Sequence, residues 1–192
     1  YIDKRADNGM LECYYSLYQQ NNDMVGWIKI PDTPVDYPVV KYSDNEFYLH
    51  KNFNKEYQFS GIPFLDYQSN DESVNKIIYA HNMKNGTMFA DYEDKSFYDA
   101  HKNIMYDTLY DKGEYEIVYA FTTKVGASNE FKYYNYADIE SEERFNEYVT
   151  QAKSRSFYDT GVNTVYGDSL ITLSTCAYHT SNERFVVIAR KK

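Results

Sequence analysis

One cysteine placed at the end of a strand raises the question of nucleophilic chemistry. The run DSLITLSTC ends in Cys176, and Arg184 opens the next apolar run, RFVVIARKK, eight residues later. Side chains along a strand alternate between its two faces. Ile171, Leu173 and Thr175 therefore share one face, which reads as core. Thr172, Ser174 and Cys176 share the other, which reads as a polar, accessible wall. Reactive thiols occupy partly exposed positions near positive charge. Arg184 supplies that charge if the two strands pair antiparallel across the polar loop AYHTSNE.

An unperturbed thiol has a pKa near ~8.5 and is only a few per cent thiolate at neutral pH, so a base or cation must activate it. The chain has four histidines. His50 and His101 lie in polar context and read as solvated surface. His179 is three residues from Cys176. His81 ends the apolar run KIIYAH and precedes a loop containing Gly86, a position suited to facing a site. Spacing alone ranks His81 only slightly above His179. A zinc site from His81, Cys176 and His179 lacks the usual paired-ligand spacing and a clear fourth ligand, so no metal is expected.

The elements that must position these groups are mostly strands. Short β-rich runs occur at 25–30, 35–40, 61–66 and 74–81, some separated by turn signals such as PDTP. IMYDTLY and YEIVYAFTTKV flank DKG, a hairpin signal. GTMFADY and KSFYDAHK read as short helical turns. Residues 3 to about 21 read as a helix with Met10, Leu11, Tyr14, Leu17 and Tyr18 at helical spacing, capped by Asp3 or Asp7. Cys13 lies beside that stripe and reads as a small packing residue. A second helix covers 141–155, with Glu142 and Glu143 in its first turn and Lys153 and Arg155 in its last. Seven or eight short strands with few helices predict a mostly-β sheet closed into a barrel.

Composition bounds the function. The 192 residues suffice for one domain with a sizeable core. A net charge of -9 without a basic cluster argues against nucleic acid as a partner. Cys13 and Cys176 form no disulfide framework. No stretch approaches the ~18 apolar residues of a membrane span. The first residue is Tyr1 rather than Met, which suggests a start partway into a longer chain. The 23 tyrosines are spread along the sequence and read as β-propensity and half-buried packing.

YAHNMKNGTMFADY, together with TLSTC followed by Arg184 in ERFVVIAR, resembles the catalytic signatures of the sortase family, and of its class B in particular. WIKIPDTPVDYPVV, SGIPFLDY and the helix at 141–155 are similar to class B as well. The composition fits a clostridial-type source. The resemblance implies an eight-stranded β-barrel with an N-terminal helix and the added helix near 141–155. It divides the chain into a helical segment, 1–22, packed on a catalytic domain, 23–192. It makes Cys176 the nucleophile, His81 the acid/base and Arg184 the transition-state stabiliser. Ser174, Thr175 and Asn82 are candidates for substrate contact. No metal or organic cofactor is implied. The implied partners are surface proteins bearing a C-terminal sorting motif and a peptidoglycan amine. The implied place is the outer face of the cell membrane, with anchoring by an N-terminal segment outside this sequence. Two other readings are a cysteine peptidase that only hydrolyses and a non-catalytic wall-binding module.

Overall fold

The computed structural model describes residues 3–81, 90–126, 129–176 and 182–192. Within them eight strands close into a barrel: β1 (Met24–Lys29), β2 (Asp36–Val40), β3 (Phe64–Leu65), β4 (Asn75–His81), β5 (Asn103–Thr108), β6 (Glu114–Lys124), β7 (Leu170–Cys176) and β8 (Glu183–Lys191). Their order around the barrel is β1-β2-β3-β4-β7-β8-β6-β5. Tight turns set the antiparallel pairs. In the β1–β2 turn Ile30 N donates to Val35 O at 2.9 Å and Asp32 adopts a positive φ of 61°. The DKG turn joins β5 to β6 as an antiparallel hairpin, as its sequence predicts. At Gly26, β1 passes so close to β5 that a side chain would collide with the Asp107 carbonyl and the Tyr106 ring. Parallel pairing occurs at two places, β2 with β3 and β4 with β7.

The strands that carry the candidate chemistry are buried on both faces. Every residue of β4 is buried. One face joins the barrel interior, where Ile28, Val39, Ile78, Ala80, Ile171, Leu173 and Val187 pack together. The other face, with Ile77, Tyr79, Leu170, Val186 and Ile188, is covered from outside. The cover is helix α3 (Glu142–Arg155) and the short helical turn at Tyr133–Tyr136. Phe145, Tyr148 and Ala152 recur at spacings of three and four, which puts them on one helical face, and all three are buried. Fully burying an aromatic of this size contributes about 1.5–3 kcal/mol. The Ser141 hydroxyl caps α3 by accepting from Arg144 N at 3.3 Å, a bond type worth about 1 kcal/mol.

This cover corrects the reading of Thr172 and Ser174 as an accessible wall. Both are fully buried. The Tyr148 hydroxyl lies 2.6 Å from Thr172 Oγ1, which donates to Asn75 Oδ1 at 2.7 Å. Asn75 Nδ2 in turn donates to Tyr136 O at 2.9 Å. The Tyr133 hydroxyl lies 2.5 Å from Ser174 Oγ. Tyrosines from the covering layer thus satisfy hydroxyls that would otherwise need water.

The N-terminal helix also differs from expectation. Helix α1 spans Glu12–Gln20, and neither Asp3 nor Asp7 caps it. The chain before it is a turn: Gly9 has φ 83°, Asn8 Oδ1 accepts from Met10 N at 3.1 Å, and Arg5 bridges Leu11. These local bonds compete with helix formation. The apolar stripe still packs as a unit. Met10 is buried with Met24 and Leu109, and Tyr14, Leu17 and Tyr18 pack against them. Tyr14 also donates to Asp107 Oδ2 at 2.6 Å, tying α1 to β5. Cys13 is exposed rather than packed. The segment predicted around 95–102 contains α2 (Lys95–Ala100), capped by Asp94. Among the described residues no helix is long and apolar enough to cross a membrane.

Candidate active site

Three adjacent strands deliver the candidate residues to one end of the barrel. Strands β4 and β7 run parallel, with Tyr79 level with Ser174 and His81 level with Cys176. Strand β8 runs antiparallel to β7, with Ser174 level with Val186. Two residues further along each strand, that register carries Cys176 level with Arg184. Parallel pairing is what lets the C-terminal ends of β4 and β7 meet. A hairpin between them would have put His81 and Cys176 at opposite ends.

His81 is 2% exposed. Its Nε2 donates a short hydrogen bond to the Leu49 carbonyl. That bond fixes the proton on Nε2 in the neutral ring and leaves the Nδ1 lone pair as the basic position. Burial pushes the imidazole down from 6.5 to about 4, because a buried cation loses its hydration; the nearby charges of His50 and Arg184 add to this, and the Leu49 bond opposes it. The ring is therefore neutral at pH 7, a base rather than an acid at rest. His50 is not a solvated surface residue. Its ring centroid lies 5.3 Å from that of His81, and its Nδ1 donates to Phe59 O at 3.0 Å. His101 is half-buried against Phe97, 4.2 Å between ring centroids, and stands apart from this group.

Arg184 is half-buried and opens β8. Its Nη1 makes a 3.3 Å bond to the neighbouring Glu183 carbonyl. It lines a cleft of about 540 Å³ together with Asn45, Asp66, Tyr79, Tyr133 and Tyr134. A cleft of this volume, part aromatic and part polar, accommodates a short stretch of extended peptide. Asp66, buried at 2% exposure, accepts from Tyr79 Oη and Asn45 Nδ2 at 2.9 Å each and from Gln68 N at 2.8 Å.

The sequence candidates divide accordingly. His81, Cys176 and Arg184 occupy neighbouring positions on β4, β7 and β8. Ser174 lies under Tyr133, its hydroxyl engaged there. Thr175 points to the opposite side, where its Oγ1 accepts from Phe185 N at 3.0 Å. Asn82 and His179 lie outside the described residues. Asn45, Asp66, Tyr79 and Tyr133 carry no motif that marks them in the sequence. Asp66 sits inside SGIPFLDY, where an acid following an apolar run was the available signal. Among the described residues, no three or more His, Cys, Asp or Glu groups converge as a metal site would require.

Comparison with known proteins agrees with this arrangement. The Sortase domain family profile matches residues 28–192. The sortase B of Listeria monocytogenes is 39% identical over 165 residues, covering 83% of this chain and 65% of that protein, so the chain spans just under two thirds of this relative. A Staphylococcus aureus sortase B–substrate complex superimposes with a TM-score of 0.85 at 32% identity, over 93% of this chain and 84% of that one. A sortase B complexed with triglycine has a TM-score of 0.84 at 32% identity, over 93% of this chain and 85% of that one.

Proposed function

We propose a function from one plain premise: this chain belongs to the sortase family. The protein is a class B-type cysteine transpeptidase. It cleaves a C-terminal sorting motif of surface proteins and transfers the new acyl end to a peptidoglycan amine. The observation that carries this reading is the register that sets His81, Cys176 and Arg184 level on β4, β7 and β8 beside one cleft.

The chemistry follows from the neutral imidazole. The Cys176 thiol passes its proton to His81 Nδ1 as sulfur attacks the carbonyl of the motif's threonine. The tetrahedral oxyanion needs donors, and the Arg184 guanidinium offers a planar fork, either to it or to a peptide carbonyl of the bound substrate. The C–N bond then breaks, and the imidazolium gives its proton to the leaving amine. A thioester remains on Cys176. An incoming amine loses a proton to His81 and attacks the thioester, and the thiol re-forms on release. An imidazolium in a buried site is unstable, so His81 surrenders its proton readily once the leaving group needs it. No cofactor enters these steps.

The two known complexes support a peptide and an amine as the two substrates. The place of action is the outer face of the cell membrane, with anchoring through an N-terminal segment beyond this sequence. The segment 1–22 belongs with the catalytic domain 23–192 as its packed N-terminal piece. The test is product analysis by mass spectrometry after incubation with a sorting-type peptide over a range of amine concentrations. A ligated product that rises with amine supports transfer. If only the hydrolysed acid forms with every wall-type amine tried, the protein is a cysteine peptidase. If no adduct forms on Cys176 at all, it is a wall-binding module.

A further inference from the structure

We propose that Asp66 is a positioning residue for peptide binding, holding Asn45 and Tyr79 in the orientation the cleft presents to substrate. The inference rests on the reading of that cleft as the sorting-peptide site. Asp66 follows directly on β3 and is 2% exposed. A buried carboxylate is costly unless its oxygens are satisfied. Here one oxygen accepts from both Asn45 Nδ2 and Tyr79 Oη, each at 2.9 Å, and the other accepts from Gln68 N at 2.8 Å.

The bonds come from three parts of the chain. Asn45 lies in the loop after β2, Tyr79 on β4 and Gln68 in the turn after β3. Asn45 is fixed at its other end too, where its Oδ1 accepts from Tyr67 N at 3.0 Å. Asp66 therefore determines which way the Asn45 amide faces, since a carboxylate can only accept. Tyr79 stands two residues before His81 on the same strand. The cleft's polar wall and the catalytic base thus share one rigid element. A preorganised wall binds peptide without first ordering its own side chains. Asp66 acts through these groups; the reacting bond lies elsewhere.

The test uses Asp66→Asn in the full chain with Cys13→Ala, so that the exposed second thiol does not react. Three measurements are made: steady-state cleavage of an internally quenched peptide with threonine before the scissile bond, the rate of Cys176 alkylation by iodoacetamide, and thermal melting. Asparagine keeps the shape but turns one acceptor into a donor, facing Gln68 N–H or the Asn45 and Tyr79 donors. KM should rise about tenfold or more, the scale of losing a hydrogen bond to a charged group, with kcat within about twofold. The alkylation rate should be unchanged. In an Asn45→Ala, Tyr79→Phe background, Asp66→Asn should add little further rise in KM, because the groups it acts through are gone. Asp66→Glu, which keeps the charge and acceptors, should recover part of the loss. An unchanged KM in Asp66→Asn overturns the proposal. So does a KM rise that persists in full in the double background, or one that comes with equal losses in alkylation rate and melting temperature. A wild-type protein that never processes the peptide refutes the transpeptidase reading, and the positioning role with it.

Discussion

The neutral resting state of His81 makes a direct prediction about acid tolerance. Burial brings its imidazole from 6.5 to about 4. At pH 5.5 a histidine of pKa 6.5 is only about 9% neutral, whereas one near 4 is about 97% neutral. Second-order turnover, kcat/KM, depends on the free enzyme with thiol and neutral imidazole. It should therefore stay near its plateau at pH 5.5 instead of dropping about tenfold, and its acid limb should fall near pH 4. The assay is kcat/KM for a quenched sorting peptide from pH 4 to 8 at constant ionic strength, with circular dichroism at each pH to exclude unfolding. His81→Ala should lose about 100- to 10,000-fold at the plateau. The same shift has a stability counterpart. The unfolded chain takes up a proton at His81 as pH drops below 6.5, while the folded chain resists until about 4. The contribution is complete above pH 6.5 and is lost progressively between 6.5 and 4. Wild type should thus lose stability faster than His81→Ala across that interval. An acid limb at pH 6.5 in a fully folded protein would refute the buried, neutral histidine and return His81 to an ordinary solvated one.

Other expectations concern single side chains. Cys176→Ala should abolish cleavage, while Cys13→Ala should keep nearly full activity, because Cys13 is exposed on α1; peptide turnover reads both. Arg184→Lys should lower kcat/KM at least about tenfold, since lysine keeps the charge but not the planar fork; a near wild-type value would leave Arg184 a purely electrostatic role. Thr172→Val should cost about 2–3 kcal/mol in urea unfolding, because it leaves the buried Tyr148 hydroxyl and Asn75 oxygen without their shared partner; a loss under about 0.5 kcal/mol would mean that the buried network rearranges freely.

The sequence carries strand existence well, because apolar β-branched runs bounded by turn residues leave little alternative. β1, β2, β4, β7 and β8 fall where those runs lie. β3 shrinks to Phe64–Leu65 within a longer apolar stretch, since its pairing with β2 lasts only one residue pair. The N-terminal helix is shorter than its spacing predicts, because helical spacing cannot see that Asn8 and Gly9 close a turn of their own. The alternation in DSLITLSTC is legible, but its meaning is not. Polar residues at alternate positions signal water unless hydroxyl partners arrive from elsewhere, and Tyr148 and Tyr133 come from a covering layer distant in sequence. His81 and Cys176 stand out as residues, but nothing local announces that β4 and β7 pair in parallel and bring them level. The cleft is hidden for the same reason, since Asn45, Asp66, Tyr79 and Arg184 meet only after the barrel closes.

The parallel seam between β4 and β7 also sets when activity appears during folding. His81 and Cys176 lie 95 positions apart in the sequence, and the chain between them supplies β5, β6, α2 and α3 before β7 is made. Contacts of such separation carry a large closure entropy and form slowly. A chain still emerging from a ribosome or an export channel holds the base without the nucleophile. Even a complete chain holds both without a site until this seam zips. Turnover is thus a readout of barrel closure: in a refolding experiment the enzymatic signal should lag helix formation and rise with the last cooperative phase. Surface proteins that share the same export route would meet a silent precursor, and cleavage would begin only where folding has finished.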